Sequence, residues 1–501
     1  MRIFTVFKIR LLATFAATRA SFTLLLLLTG CLPCIQEQHK ASLLSPPSLE
    51  STTQRNLESG YFTCGDWPQD RWWEIFSSPQ LNELMQEALV ANPSIQAIQQ
   101  KVEIANQSAI LARSKLFPWV SLDFVYTWEY LSKNGLYKAF NPKLPLNANL
   151  YDLDLTLNYE LDLWGKNKEM FQAAIGRQLA EEAEKAQVNL MITTAVAQAF
   201  VTVKINQQRK NFISQLVGIR KDIYDLQNLL HAKALLSKLL VYSSEENYYD
   251  ALKMLTGVEE ELAISKHLLN ILVGRGPDAP LDIGEEPLPP IDIISIPSNL
   301  SLDLLARRPD LMAQIWRVEA WAHEINAAKT EYYPDVNLKA FLGFESINAD
   351  TLLRTSSGTA GIIPAIHLPL FTAGAIQANI DAKRAHFNEA VFEYNQILLL
   401  SAQEVVDRLV SVESLFKQKR DQDLLMKKIE ARYSLTRLLY EKGLDDLVTV
   451  DYLKEELIRQ ELESVNLTYA QNISMLRLIK ALGGGYQSPY IPLAALEGEC
   501  E

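Results

Sequence analysis

The 501-residue sequence predicts a mainly α-helical chain with a membrane β-barrel portion: a tandem-repeat protomer with four long strands and long helical hairpins. Three observations predict it. One stretch alternates strictly between apolar and polar residues. Two helical runs are unusually long and free of proline. The chain also repeats itself at a constant offset.

The alternating stretch is Tyr151-Asp-Leu-Asp-Leu-Thr-Leu-Asn-Tyr-Glu-Leu-Asp-Leu-Trp164. Its odd-numbered residues from 151 to 163 are apolar; the even ones include Asp152, Asp154, Glu160 and Asp162. Period-2 alternation is the signature of a strand with two unlike faces. Ordinary strands run about 5–6 residues, whereas a membrane strand needs roughly 9–11, apolar toward lipid and polar toward a lumen. In a barrel, Asp152, Asp154, Glu160 and Asp162 line the lumen and favour cations over anions. Beyond the N-terminus no apolar run of about 20 residues offers a spanning helix, so a membrane location requires a barrel.

Residues 1–30 read as an export signal, with Arg2, Lys8, Arg10 and Arg19 before the apolar core Leu24-Leu-Leu-Leu-Leu28. Leu28-Thr29-Gly30-Cys31 resembles the lipobox of bacterial lipoproteins, which implies a lipid-bearing Cys31 at the mature N-terminus. Residue 32 is Leu rather than Asp, which by the same resemblance leans toward the outer membrane. Residues 31–71, rich in Ser, Pro, Thr and Gln, read as a lipid-anchored tether. Cys34, Cys64 and Cys500 lack metal-ligand spacing; a Cys64–Cys500 pair and free thiols are equal alternatives.

The first repeat, 72–276, opens at Trp72-Trp73, continues with a helix from Leu81, and restarts at Pro93 for a helix to Lys115. Pro118 turns the chain into a strand over 122–130, a loop spans 131–148, and the alternating strand returns antiparallel. Gly165 ends that strand. From Lys166 to His231 there is no proline, enough for a helix on the order of 100 Å. A tip around Ala234 and Ser237 leads into a return helix ending at Gly274. Prolines then mark a linker over 277–300.

The second repeat, 301–485, restates the first. Arg308-Pro309-Asp310-Leu311 echoes Asn92-Pro93-Ser94-Ile95, and Tyr333-Pro334 echoes Phe117-Pro118, with the same separation in both pairs. The offset later shortens slightly, where Gly274 matches Gly483. A constant offset through a helix and into a strand is a duplication. Strands are expected over 335–345 and 361–371, a long helix from Gly374 to Lys442, a tip at Gly443 and Leu444, and a helix back to Leu482. Residues 486–501 form a tail.

Four strands cannot close a barrel, and an open edge in lipid leaves backbone groups unpaired at several kcal/mol each. The chain must therefore oligomerise; 12 strands require three copies. The long helices would continue such a barrel as a coaxial tube, so the sequence points to a conduit. Net charge −12 disfavours nucleic acid as a partner. There is no His-Glu-x-x-His, phosphate loop or Gly-x-Ser-x-Gly, so no catalytic, cofactor or metal site is expected.

The chain resembles the TolC family of outer-membrane efflux channels, specifically its lipoprotein branch. The motifs are Trp72-Trp73…Phe76…Pro79…Leu81, Tyr159-Glu-Leu-Asp-Leu-Trp-Gly165, Leu305-Ala-Arg-Arg-Pro-Asp310, Leu368-Pro-Leu-Phe371…Gly374, Arg432-Tyr433, Tyr440…Gly443 and Ala481-Leu-Gly-Gly-Gly485. The resemblance implies a homotrimer with a 12-stranded barrel in outer-membrane lipid and a periplasmic α-barrel. It also implies a periplasmic adaptor and an inner-membrane efflux transporter as partners, with adaptor docking at the hairpin tips. Family acids near the second tip gate the tube, commonly six and nine residues after the glycine; Thr449 and Tyr452 stand there, with acids instead at Asp445, Asp446 and Asp451. The other reading is that Asp445 and Asp446 cap the next helix. The first tip departs further, with Ala234 at the glycine position and Leu240 at an acid position. Arg307 and Arg308 read as structural, pairing with acids between subunits. Two further functions stay open: the duct of a protein-secretion system, and a non-conducting envelope scaffold.

Overall fold

The computed structural model describes residues 40–289, 294–297, 300 and 307–488. Cys31, Cys34 and Cys500 lie outside them; Cys64 is exposed and has no disulfide partner among the described residues.

Among the described residues the elements run α1 (Glu50–Glu58), β1 (Phe62–Cys64), α2 (Pro79–Ala91), α3 (Pro93–Ser114), β2 (Trp119–Tyr130), β3 (Asn147–Leu161), α4 (Lys166–Ala232) and α5 (Lys238–Val273). Then follow β4 (Ile294–Ile296), α6 (Pro309–Lys329), β5 (Asp335–Ser346), β6 (Gly358–His367), α7 (Ala375–Glu441) and α8 (Leu447–Ala481). The duplication is plain in the helices: α4 and α7 both have 67 residues, α5 has 36 and α8 has 35. Gly165 and Gly374, which open α4 and α7, already stand at the shorter offset that relates Gly274 to Gly483. The offset therefore shortens within the strand hairpin, before the helices begin.

Both long helices start the same way. Gly165 (φ +78°) and Gly374 (φ +87°) occupy the left-handed region, where a Cβ is disfavoured. Two cap positions repeat as well. Asn92 accepts from Ser94 N at 2.8 Å to cap α3, and its amide donates to Leu272 O at 2.7 Å. At the equivalent place Arg308 donates to Ala481 O at 2.8 Å, to Asp310 at 2.7 Å and to Glu404 at 3.1 Å. Arg308 thus pairs within its own protomer rather than between subunits, because the start of α6 lands on the end of α8.

β2, β3, β5 and β6 form one antiparallel sheet in that order. Its register pairs Leu122 with Leu155, Leu155 with Leu342, and Ala340 with Ile362. The apolar sets of all four strands therefore share one face. Leu122, Leu342 and Ile362 are 69, 65 and 73% exposed there, far too apolar a surface for water. Ring pairs mark the ends of this belt: Tyr126 on Tyr151, and Trp164 on Tyr333, both with centroids 4.8 Å apart. Trp164 Nε1 also donates to Pro334 O at 2.9 Å, tying the end of one hairpin to the start of the other. Pro118 immediately precedes β2, and Pro334 immediately precedes β5.

Three segments differ from expectation. The last strand spans Gly358–His367 rather than 361–371, because the backbone leaves β5 before Leu368-Pro369. The loop after β2 contains a helical turn, Leu136–Phe140. The tether is folded from residue 40 onward. Ala41 N donates to Asn388 Oδ1 at 2.9 Å and Leu44 N to Asn395 Oδ1 at 2.8 Å, so α7 side chains satisfy its backbone. α1 follows, and β1 pairs in parallel with β4 from the proline-rich linker. Leu49, Phe62 and Ile296 bury their side chains in one cluster with Val405, Leu409 and Leu478. A few apolar residues in a polar stretch suffice when a preformed helix face receives them.

The main core lies around the middle of α4, where Val196, Phe200, Val203 and Ile205 pack against Trp72, Trp73, Leu81, Met85, Leu269 and Leu476. This part of α4 is apolar enough to cross a bilayer by composition, yet most of it is buried inside the protein. If the apolar sheet face meets lipid, Leu155→Arg with Leu157→Arg costs about 2–4 kcal/mol per charge near the bilayer midplane. The expected outcome is loss of the membrane-inserted form, measured by fractionation and by heat-modifiable mobility of the assembled protein.

Candidate functional site

The face of the sheet opposite the apolar belt is acidic. It carries Asp123 and Glu129 from β2, Asp152, Asp154 and Glu160 from β3, and Asp335 and Glu345 from β5. Lys339 is the one lysine or arginine among these strand positions. Asp123 pairs across the sheet with Asp154, and Asp152 with Glu345, so like charges face each other on neighbouring strands. Such pairs are unfavourable in a simple sheet and create a strong negative field along that face. Gly343 opposes Asp154, leaving room for the carboxylate that a Cβ would block. Asp162 does not belong to this face. β3 ends at Leu161, and the Asp162 carboxylate accepts from Asn167 N at 3.0 Å and Lys168 N at 2.8 Å, capping α4. Glu160 is bound by Lys166 at 3.1 Å, at the sheet-to-helix junction.

At the other end of the helices lie two tips. In the first, Ala234 adopts φ +60°, and Leu235 N donates to Leu230 O at 2.9 Å to close the turn. Ser237 then caps α5, accepting from Leu239 N at 3.3 Å. In the second, Gly443 adopts φ +72°, Leu444 N donates to Leu439 O at 2.9 Å, and Asp446 caps α8. The tips are copies in which alanine has taken a left-handed position that favours glycine. Leu235, Leu239 and Leu444 are exposed at 71, 74 and 73%.

The acids of the second tip have separate roles. Asp446 Oδ1 accepts from Thr449 N at 2.7 Å, and that bond holds its carboxyl below the usual aspartate range. Asp445 lies beside it and accepts from Asp446 N at 2.9 Å. Asp451, one turn on, is half-buried; burial raises its carboxyl, and Asp222 of α4 adds to the rise against the pull of Lys454. Tyr452 is exposed.

Above the tips, two arginines of α4 hold α8. Arg209 donates to Asn466 Oδ1 at 3.0 and 2.5 Å, and Arg220 donates to Glu455 Oε1 at 3.1 and 2.8 Å. Arg220 also donates to Asn247 O at 2.9 Å and to Asp250 at 3.3 Å, both on α5. One guanidinium therefore joins three helices of both hairpins. Leu216 and Ile219, between the two arginines, and Ile223, just beyond Arg220, pack in one cluster with Ala251 and Ile458. The 4- and 3-residue spacing of Phe212, Leu216, Ile219 and Ile223 marks a packing stripe in the sequence, and their packing bears it out, but the arginine partners on α8 come from the opposite half of the chain and were not legible. The one local trace of those partners is a matched spacing: Arg209 and Arg220 are as far apart on α4 as Glu455 and Asn466 are on α8. Among the described residues no group of His, Cys, Asp or Glu is arranged to hold a metal ion.

A barrel-type sheet with one acidic face, continued by helices of about 100 Å, defines a membrane duct protein. The sequence model described as outer membrane efflux protein matches residues 84–274 and 300–484. The chain belongs to that family, and it is an outer-membrane efflux duct. It is 27% identical over 472 residues to the multidrug resistance outer membrane protein MdtP of Escherichia coli (strain K12), covering 92% of this chain and 95% of that one. To MdtQ of Escherichia coli O6:H1 it is 26% identical over 475 residues, covering 93% and 98%. Among solved structures it resembles the outer membrane protein VceC of Vibrio cholerae with a TM-score of 0.75 at 28% identity, covering 84% of this chain and 100% of that one. The outer-membrane channel OprN shares the fold with a TM-score of 0.78 at 20% identity, covering 90% and 99%.

Two outcomes test the tips. Ala234→Gly should stabilise the first tip by about 1 kcal/mol, and Gly443→Ala should weaken the second by a similar amount. Hydrogen exchange of the tip amides measures both. Asp446, with its depressed carboxyl, stabilises the start of α8 at pH above about 4, and this support is lost as pH falls further. The protection factor of the Thr449 amide, with exchange corrected for its intrinsic pH dependence, should therefore fall on acidification in the parent but not in Asp446→Asn.

Proposed function

We propose that this chain is the outer-membrane exit duct of a tripartite efflux system, passively conducting small molecules driven by an inner-membrane transporter through a periplasmic adaptor. The observation that carries the reading is the unclosed sheet. β2 and β6 are open edges on a sheet with a predominantly apolar face, and lipid cannot satisfy their backbone groups. Three copies, with β6 of one pairing with β2 of the next, make a closed barrel of 12 strands.

The helices support the same assembly. α3 packs on α4, α4 on α6 and α6 on α7; lower down α5 packs on α4, α4 on α8 and α8 on α7. Each level leaves α7 at one side and α3 or α5 at the other. These outer faces carry exposed apolar residues at heptad spacing: Ile104 and Leu111 on α3, Ile264, Leu268 and Ile271 on α5, Phe392 and Leu399 on α7. Such stripes suit knobs-into-holes seams between copies.

Lipidation at Cys31 holds the N-terminus to the membrane. The carboxylates of the sheet face, Asp152 and Asp154 among them, make the barrel cation-preferring. The tips around Ala234, Ser237, Gly443 and Leu444 meet the adaptor, and their exposed leucines suit a helical, partly apolar contact. Asp445, Asp451, Thr449 and Tyr452 form the periplasmic constriction, with Asp446 committed mainly to its cap. Arg220 holds the second hairpin against the first, so the constriction opens when this seam loosens. Small molecules as cargo fit the multidrug names of the relatives.

Single-channel conductance in planar bilayers tests the reading. Small, long-lived, cation-selective steps are expected, and Asp152→Asn with Asp154→Asn should lower the cation preference without closing the channel. Arg220→Ala should raise open probability several-fold. A correctly assembled protein that stays silent even as Arg220→Ala would return the chain to a scaffold role.

A further inference from the structure

The three-copy barrel proposed above needs a register where β6 of one copy meets β2 of the next, and the duplication supplies one. Two offsets relate the strands. The separation of Pro118 from Pro334 moves β2 onto β5, and that of Gly165 from Gly374 moves β3 onto β6. Together they move the pair Trp119–Asn158 of the first hairpin onto Asp335–His367, which is a pair of the second. The two hairpins therefore share one register, and the offsets hold residue for residue through all four strands.

Within the protomer the hairpins join through β3 and β5, where Leu155 faces Leu342 and Leu161 faces Val336. A closed ring of alike hairpins repeats one junction at every join. We infer that the seam between copies, which rests on the barrel reading, copies this junction. The same offsets then place Pro364 opposite the partner subunit's Tyr126, Ile366 opposite the partner subunit's Phe124, and Leu370 opposite the partner subunit's Val120. All of these β6 and β2 positions belong to the apolar face: Ile366 pairs with Val336, and Phe124 with Leu153. A slip of one residue would set Ile366 against a position on the acidic face. The copied junction uses β2 from Val120 to Tyr130 and runs past the end of β6 at His367. Leu368 and Leu370, exposed in the protomer, continue its apolar positions there.

On the acidic face the copied register sets His367 opposite the partner subunit's Asp123. His367 already lies opposite Asp335 of its own copy, and Asp123 lies opposite Asp154. The seam thus puts an imidazole between two carboxylates. It supplies the N–H donor that the like-charged pair of Asp123 and Asp154 lacks. Both His367 and Asp123 are exposed in the protomer, and Asp123 accepts from Ser121 Oγ at 2.8 Å, with its other oxygen able to accept a second bond.

The seam is weaker than the junction it copies. Trp164 and Tyr333 map onto Ala373 and the partner subunit's Phe117, so neither the ring stack nor the Trp164 bond to Pro334 has a counterpart. Pro364 and Pro369 stand at positions of opposite parity, so in the lengthened strand one of them lacks its N–H toward the seam. Side-chain pairs such as His367 with the partner subunit's Asp123 matter correspondingly more.

The test is cross-linking in the full-length trimer, with Cys34, Cys64 and Cys500 replaced by Ser. Ile366→Cys with Phe124→Cys, and Ala365→Cys with Val125→Cys, should each give a covalent trimer with a short thiol-bridging reagent; the two pairs cover both kinds of cross-strand position. Ala365→Cys with Asp123→Cys or with Thr127→Cys, two residues out of register, should bridge at least tenfold less. His367→Asp should lower the temperature at which the trimer dissociates, and adding Asp123→His should restore it, which a purely internal role of His367 would not allow. Trimers bridged mainly by an out-of-register pair, or a His367→Asp trimer of parental stability or without rescue, would overturn the copied register and leave the barrel standing. Inserted protein that forms no trimer would overturn the barrel reading as well.

Discussion

The pairing of β3 with β5 joins the two halves of the duplication, and the rest of the sheet depends on its register. Leu155 faces Leu342 and Leu157 faces Ala340, so the apolar residues of both hairpins fall on one side. A slip of one residue would bring the acids of β3 to the apolar face and its leucines to the acidic one. The cost of such a slip is large because both faces are specialised. Trp164 and Tyr333 stack at the base of this junction, and Lys166 bridges toward Glu160 there. The helices begin directly below, so their starting angles are inherited from the sheet.

The long helices present a different problem. A helix of 67 residues cannot be held by its caps, and α4 is held instead by changing partners along its length. Near the sheet it packs on α3 and α6, and farther down on α5 and α8. The seam to α8 is mixed: apolar between Arg209 and Arg220, then acidic where Asp451 faces Asp222. Firm packing thus gives way to mild repulsion toward the tip.

The duplication also shows which residues the architecture fixes and which it leaves free. Gly165 and Gly374 have kept glycine at matching left-handed caps, while Ala234 and Gly443 have diverged at another. Ser237 and Asp446 cap their helices with different chemistry at equivalent positions. Asn92 and Arg308 reach equivalent carbonyls with an amide in one half and a guanidinium in the other. Geometry is preserved and the chemistry that satisfies it is exchangeable.

Strands, long helices, tips and the duplication were legible in the sequence because each rests on a local signal: alternation at period 2, the absence of proline, glycine at turns, a fixed offset. The acidic identity of one sheet face followed from the same alternation. Asp162 was misplaced by that rule, since alternation continues past the last paired residue and only the fold shows its carboxylate turned to cap α4. The folded start of the chain was illegible too, because Leu43, Leu49 and Phe62 carry no period and acquire meaning only on the faces of α6, α7 and α8. The Arg220 seam joins residues from distant parts of the chain. Local propensity determines elements and their faces; which faces meet is a non-local choice, and only the tertiary structure made it.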